Sequence, residues 1–227
     1  MPILLVVALV IMAAFFLTND DEGDADGAGP PVPTPQDEGV PPAAPPPDIV
    51  AAGDLLDALA LRNEGARNGY EREAFGDGWM VDTNGCDVRS RVLADESLVP
   101  VTKESNECSV AAGEWKSLYD NYTTPNPDEL EIDHMVPLAE AWDSGAATWS
   151  PQQREKYAND TEREDALVAV TAATNQSKSD QDPAEWMPPH RGAWCRYATA
   201  WIVQKSAWKL TVDTAERTAL RNVLATC

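Results

Sequence analysis

Residues 18–50 read TNDDEGDADGAGPPVPTPQDEGVPPAAPPPDIV, contain no lysine or arginine, and constrain this chain more than any other stretch. Runs such as Pro30-Pro31-Val32-Pro33-Thr34-Pro35 favour extended polyproline conformations, which make no internal hydrogen bonds and offer nothing to a core. The segment is expected to be an acidic, disordered linker, taken as residues 19–50. Everything that folds must then come from residues 51–227, about 177 residues, enough for one domain with a sizeable core.

Ahead of the linker, residues 3–17 (ILLVVALVIMAAFFL) are uninterruptedly apolar. Fifteen residues fall short of the roughly 20 that a helix needs to cross a bilayer, and they match the apolar region of a signal peptide. Basic residues ahead of this run and a small-x-small cleavage site after it are both missing. Residues 1–18 are therefore read as a signal peptide or an N-terminal membrane anchor, and the domain as secreted or extracytoplasmic, with a tether through residues 3–17 as the alternative.

Four cysteines in such a chain point to two disulfides. None lies in a Cys-x-x-Cys pair and only two histidines exist, so a structural zinc site is disfavoured. Sequence proximity selects Cys86–Cys108 and Cys195–Cys227 from three possible pairings.

Two clusters carry the chemistry. Asp133-His134 sits near the end of an apolar segment, Leu130 to Leu138, that reads as a strand. Neighbouring strand side chains point to opposite faces, so the two can serve one site only where the strand ends and the backbone bends. A second apolar strand, Leu167 to Val170, leads into Asn175-Gln176-Ser177-Lys178. Strand, strand and helix in that order would set a carboxylate, an imidazole and an amide side by side. That combination suits a divalent metal beside a general base.

Helices are expected from Leu55 (with Asp54 as cap), over Leu138–Trp142, over Gln152–Ala158 behind the Ser150-Pro151 start signal, after Asp182, over Ala193–Trp208, and after Asp213 or Thr214. Val88–Leu93 and Cys108–Trp115 read as strands. The fold class is α+β, with a mostly helical C-terminal part.

The motif Asp133-His134-Met135-Val136-Pro137, with Asn175-Gln176-Ser177-Lys178-Ser179-Asp180, resembles the HNH, or ββα-metal, nucleases. Gly85-Cys86-Asp87-Val88-Arg89, Gly113-Glu114-Trp115, Asp182-Pro183-Ala184-Glu185-Trp186 and Cys195-Arg196-Tyr197-Ala198 extend the likeness to a secreted HNH endonuclease family with a GmrSD-type C-terminal domain. The resemblance implies a ββα-metal core with additional helices and a phosphodiester hydrolase with three catalytic residues. His134 matches the general base, and Asp133 and Asn175 match the ligands of Mg²⁺ or Mn²⁺, hard ions suited to oxygen donors. The central Asn of the motif falls near Ala166, which cannot orient an imidazole, so a backbone carbonyl or another side chain must do so.

The substrate implied is nucleic acid, DNA ahead of RNA, with no obligate protein partner. Lys178 and Arg89 are the expected phosphate contacts. Charge argues the other way: the net charge is −21, of which −11 belongs to the part from Arg62 onward, and phosphate binding normally draws on lysine and arginine. Two rival readings follow from the residues. One is a nuclease-like binding module without turnover; the other is a glycosidase using Asp182 and Glu185, three apart on one helical face.

Overall fold

The computed structural model describes residues 48–227; the expected signal segment and nearly all of the expected linker lie outside the described residues. Its first helix, α1 (Ile49–Ala58), starts two residues inside the expected linker because Asp48, not Asp54, caps it by accepting a hydrogen bond from the Ala51 amide. The later helices are α2 (Val88–Glu96), α3 (Leu138–Asp143), α4 (Pro151–Ala158), α5 (Ala172–Lys178), α6 (Trp194–Trp208) and α7 (Thr214–Leu224). Four strands, β1 (Thr102–Lys103), β2 (Val110–Ala112), β3 (Trp115–Lys116) and β4 (Thr123–Thr124), form two small antiparallel pairs, β1 with β2 and β3 with β4.

The organising element is the antiparallel ribbon of β5 (Leu130–His134) and β6 (Leu167–Thr171). Its register sets Ile132 opposite Ala169 and Asp133 opposite Val168. Because opposed residues share a face, the ribbon separates two cores. Leu130, Ile132, Leu167 and Ala169 pack with Val88, Val92 and Leu93 of α2 and with Trp115. Val168 and Val170 face the larger core, built from Leu56 of α1, Tyr197, Trp201 and Ile202 of α6, and Leu220 of α7. Such two-sided burial explains why β6 reads as a continuous apolar run and not an alternating one.

The expected strand at Val88–Leu93 is a helix. Asp87 accepts from the Ser90 amide at 2.7 Å, which is an N-cap, and Val88 and Val92 are one helical turn apart. The run from Cys108 to Trp115 breaks into the two short strands β2 and β3, since Gly113 sits where a side chain would strike the Trp115 ring at 2.6 Å. The strand expected through Leu138 stops at His134. After Asp182 there is a hydrogen-bonded turn in place of the expected helix.

A buried ion cluster fixes the helices that follow the ribbon. Lys205 of α6 donates to Glu140 of α3 at 2.6 Å and to Glu216 of α7 at 2.7 Å, and Trp201 donates to Glu216 at 2.5 Å. Burial and the neighbouring Glu216 push the Glu140 carboxyl up to about 8, partly offset by Lys205. Disulfides join Cys86 to Cys108 and Cys195 to Cys227. The second ties the start of α6 to the residues after α7.

Candidate active site

β5, β6 and α5 follow one another as strand, strand and helix, and the site lies where β5 ends. Glu131 and Asp133 point to the α5 side of the ribbon. There Glu131 accepts from Asn175 Nδ2 at 2.6 Å and from Gln176 Nε2 at 3.1 Å, which fixes the helix against the strand. With its nitrogen so held, the Asn175 side chain keeps its Oδ1 free of hydrogen bonds among the described residues. His134 points to the opposite side. Its ring stacks on Trp79, with centroids 5.4 Å apart, and on Tyr157 at 6.3 Å.

Past His134 the chain turns at Pro137, and Asp133, His134 and Asn175 together line one open groove of about 500 Å³. The three residues expected to act together therefore reach a common space, although adjacent strand positions put the first two on opposite faces.

The imidazole is 7% exposed, and its Nε2 lies 2.8 Å from the Ala158 carbonyl oxygen. A carbonyl only accepts, so Nε2 carries the proton and Nδ1 is left with its lone pair. Burial, with help from nearby Arg72 and Lys178 and against the pull of Ala158, lowers the His134 pKa to about 4. The ring is neutral at pH 7. The carbonyl that fixes the imidazole is that of Ala158, at the end of α4, and not a side chain at Ala166. Ala166 itself contributes a backbone carbonyl to the Met135 amide.

Asp133 Oδ2 accepts from Tyr119 at 2.6 Å and from Lys178 Nζ at 2.7 Å. No hydrogen bond reaches its Oδ1 among the described residues. Burial raises the pKa of this carboxyl, while Lys178 and Tyr119 oppose the rise.

Lys178 departs from its expected role. It is fully buried, donates also to the His134 carbonyl at 2.9 Å, and lies over the rings of Tyr119 and Trp201. An amine so enclosed holds Asp133 and cannot reach a phosphate in solvent. Arg89 departs as well: its guanidinium donates to the Leu130 and Pro127 carbonyls at 3.0 and 2.9 Å, bracing α2 against the start of β5.

The cation that does line the groove is Arg72, exposed and without an ion pair or hydrogen bond among the described residues. It belongs to a 3₁₀ turn, Arg72–Phe75, anchored by Arg154 of α4, which donates to Ala74 O at 2.8 Å. Sequence reasoning missed Arg72 because nothing near it in the chain marks it. Its role arises from a contact spanning some eighty residues.

The paired-carboxylate alternative loses its geometry. Asp182 is buried and its Oδ1 accepts from the Ala184 and Glu185 amides at 2.6 and 3.2 Å, which is a turn cap, while Glu185 is exposed. Glu64, Asp182 and Asp213 gather their oxygens within 4.8 Å of one another, and none of the three lines the groove.

The arrangement defines an α+β domain whose strand–strand–helix unit presents a neutral histidine, a carboxylate and an amide to one cleft. The chain belongs to the family of C-terminal domains of GmrSD restriction endonucleases, matched over residues 87–223. It is also similar to a protein of Arthroderma benhamiae described as an uncharacterized secreted protein. The two are 40% identical over 190 residues, covering 82% of this chain and 91% of the relative. No solved structure matches. Two disulfides and a relative described as secreted agree with an oxidising, extracellular setting. Among the described residues no helix is long and apolar enough to cross a membrane.

Proposed function

We propose that this protein is a secreted, metal-dependent endonuclease that hydrolyses phosphodiester bonds in nucleic acid, DNA in the first instance, through a ββα-metal site. The observation that carries the reading is the orientation of His134. Its Nε2 is committed to the Ala158 carbonyl, and its bare Nδ1 belongs to a ring lining the same groove as Asp133 and Asn175.

The donor set fits a hard divalent cation. Asp133 and Asn175 each keep one oxygen free of hydrogen bonds, and oxygen donors are what Mg²⁺ and Mn²⁺ prefer. Two protein ligands with water in the remaining positions is a common arrangement for Mg²⁺. A cation held there would neutralise charge on the phosphoryl and leaving oxygens.

The chain's own residues supply the rest. His134, neutral at pH 7, takes the proton from the attacking water at Nδ1, and the Ala158 carbonyl stabilises the imidazolium that forms. Lys178 and Tyr119 clamp Asp133 Oδ2, so the carboxylate presents a fixed orientation. Arg72 lies where it can meet a phosphate entering the groove. The acidic remainder of the surface predicts weak, salt-sensitive binding.

Plasmid cleavage with Mg²⁺ or Mn²⁺ tests the proposal, with chelator and His134→Ala as controls. General-base catalysis is typically worth ~10²–10⁴-fold, and the variant is expected to lose that much. Cleavage that survives both controls would refute the site; a folded protein that retards DNA and RNA on a gel yet leaves both whole would favour a binding module.

A further inference from the structure

His134 lines two recesses. Besides the groove shared with Asp133 and Asn175 there is a smaller one, about 260 Å³, bounded by Arg72, Glu73, Phe75, Asp77, Trp79 and His134. Arg72 and His134 belong to both walls, so the two spaces meet at the imidazole and at the groove's unpaired cation among the described residues.

The character of the smaller recess is different. Two aromatic rings, Phe75 and the half-buried Trp79, supply an apolar wall. The Trp79 indole N–H makes no hydrogen bond among the described residues, and its ring already stacks on His134. Glu73 and Asp77, both exposed, bring two carboxylates to a lining whose cation among the described residues is Arg72. A net negative recess repels phosphate, while aromatic walls and acceptor oxygens suit a neutral, planar group that carries N–H donors. The recess, at about 260 Å³, has room for one such group.

We infer that this recess is a subsite for a single unpaired nucleobase bearing an exocyclic amino group, adjacent to the phosphodiester that is cut. The base lies against Trp79, and its amino group donates to Asp77 or Glu73. Arg72 holds the phosphate at the junction of the two recesses. The preferred substrate is then single-stranded or locally unpaired nucleic acid, because a base in a duplex cannot enter without leaving its stack. The inference rests on the nuclease reading for its second recess, but the subsite itself is a matter of binding.

The test separates the two. Single-stranded oligonucleotides carrying one abasic residue, walked along the sequence, are bound by the purified, disulfide-bonded protein in chelator and then cut with Mg²⁺. Base–aromatic stacking predicts that an abasic residue at one position weakens binding roughly 5- to 150-fold in the native protein. In Trp79→Ala and Trp79→Leu the penalty at that position should shrink to within about twofold, the second variant preserving apolar bulk for folding. Asp77→Asn, on an exposed turn, should reduce the preference for guanine over thymine there.

An equal abasic penalty in native and variant proteins, or no penalty at any position, overturns the subsite even if cleavage proceeds. A Trp79-dependent penalty in a protein that never cuts would instead sustain the subsite and remove the enzyme. Faster cutting of a fully paired duplex than of its single strand would also overturn it.

Discussion

Replacing Lys178 with methionine separates the two roles this residue can have. If its amine met phosphate from the surface, the change would leave stability intact and weaken nucleic-acid binding. Instead the side chain is fully buried, 2.7 Å from Asp133 and 2.9 Å from the His134 carbonyl. Burial lowers the Lys178 pKa and raises that of Asp133, while each charge holds the other ionised. Methionine fills most of the volume but leaves the Asp133 carboxylate with only Tyr119 as a partner. Removing one member of a buried pair typically costs about 3–5 kcal/mol.

For a domain of this size each kcal/mol moves the melting temperature by roughly 2–4 °C, so the expected loss is roughly 6–20 °C. Against a total stability on the order of 5–15 kcal/mol the variant would be marginal, and urea titration followed by fluorescence of the eight tryptophans is the suitable assay. Adding Asp133→Asn to the variant should return at least half of the loss, since the amide oxygen still accepts from Tyr119 and no stranded charge remains. A single variant within about 0.5 kcal/mol of the native protein would refute the buried pair. Such a variant whose nucleic-acid affinity fell with a shallower salt dependence would restore the phosphate role.

Glu96 of α2 accepts from the Ala169 amide of β6 at 2.9 Å, and burial pushes its carboxyl up to about 7. A folded pKa above the unfolded value gives stability that is complete below about 4.3 and lost as pH rises through about 7. Glu96→Gln should therefore gain on the native protein by about 1–2 kcal/mol between pH 5 and pH 8, allowing for solvent screening of a half-buried side chain. Urea midpoints at the two pH values measure this, and an unchanged gap would contradict it. Changing Cys195 and Cys227 together to serine opens a link of sequence separation 32 and should cost about 3–4 kcal/mol on the chain-entropy account. Thermal melts of that variant with and without reductant should then agree with each other only if Cys86–Cys108 contributes little.

Much of the local structure was written in short-range signals. Ser150-Pro151 starts α4 and Asp213 starts α7, because a side-chain oxygen can satisfy orphan helix amides without help from elsewhere in the chain. Val88–Leu93 misled because a six-residue run with mixed apolar and polar positions suits either period, and only the Asp87 cap tells them apart. A helix expected after Asp182 shrank to a turn for a related reason: the carboxylate spends its Oδ1 on the Ala184 and Glu185 amides, and no run of helical residues follows.

By itself the sequence determined which residues would gather: an Asp-His pair on one strand, and an amide after a second, apolar strand. Those choices depend on chemical identity and spacing, which the chain carries openly. Tertiary structure alone decided what each polar group faces. It sank Lys178 behind Asp133, turned Arg89 to backbone carbonyls, brought Arg72 to the groove through Arg154, and set the Ala158 carbonyl against His134. The physical reason is that a charged side chain's role depends on its exposure and partners. Those are properties of contacts made across tens of residues, and nothing in the neighbouring sequence encodes them.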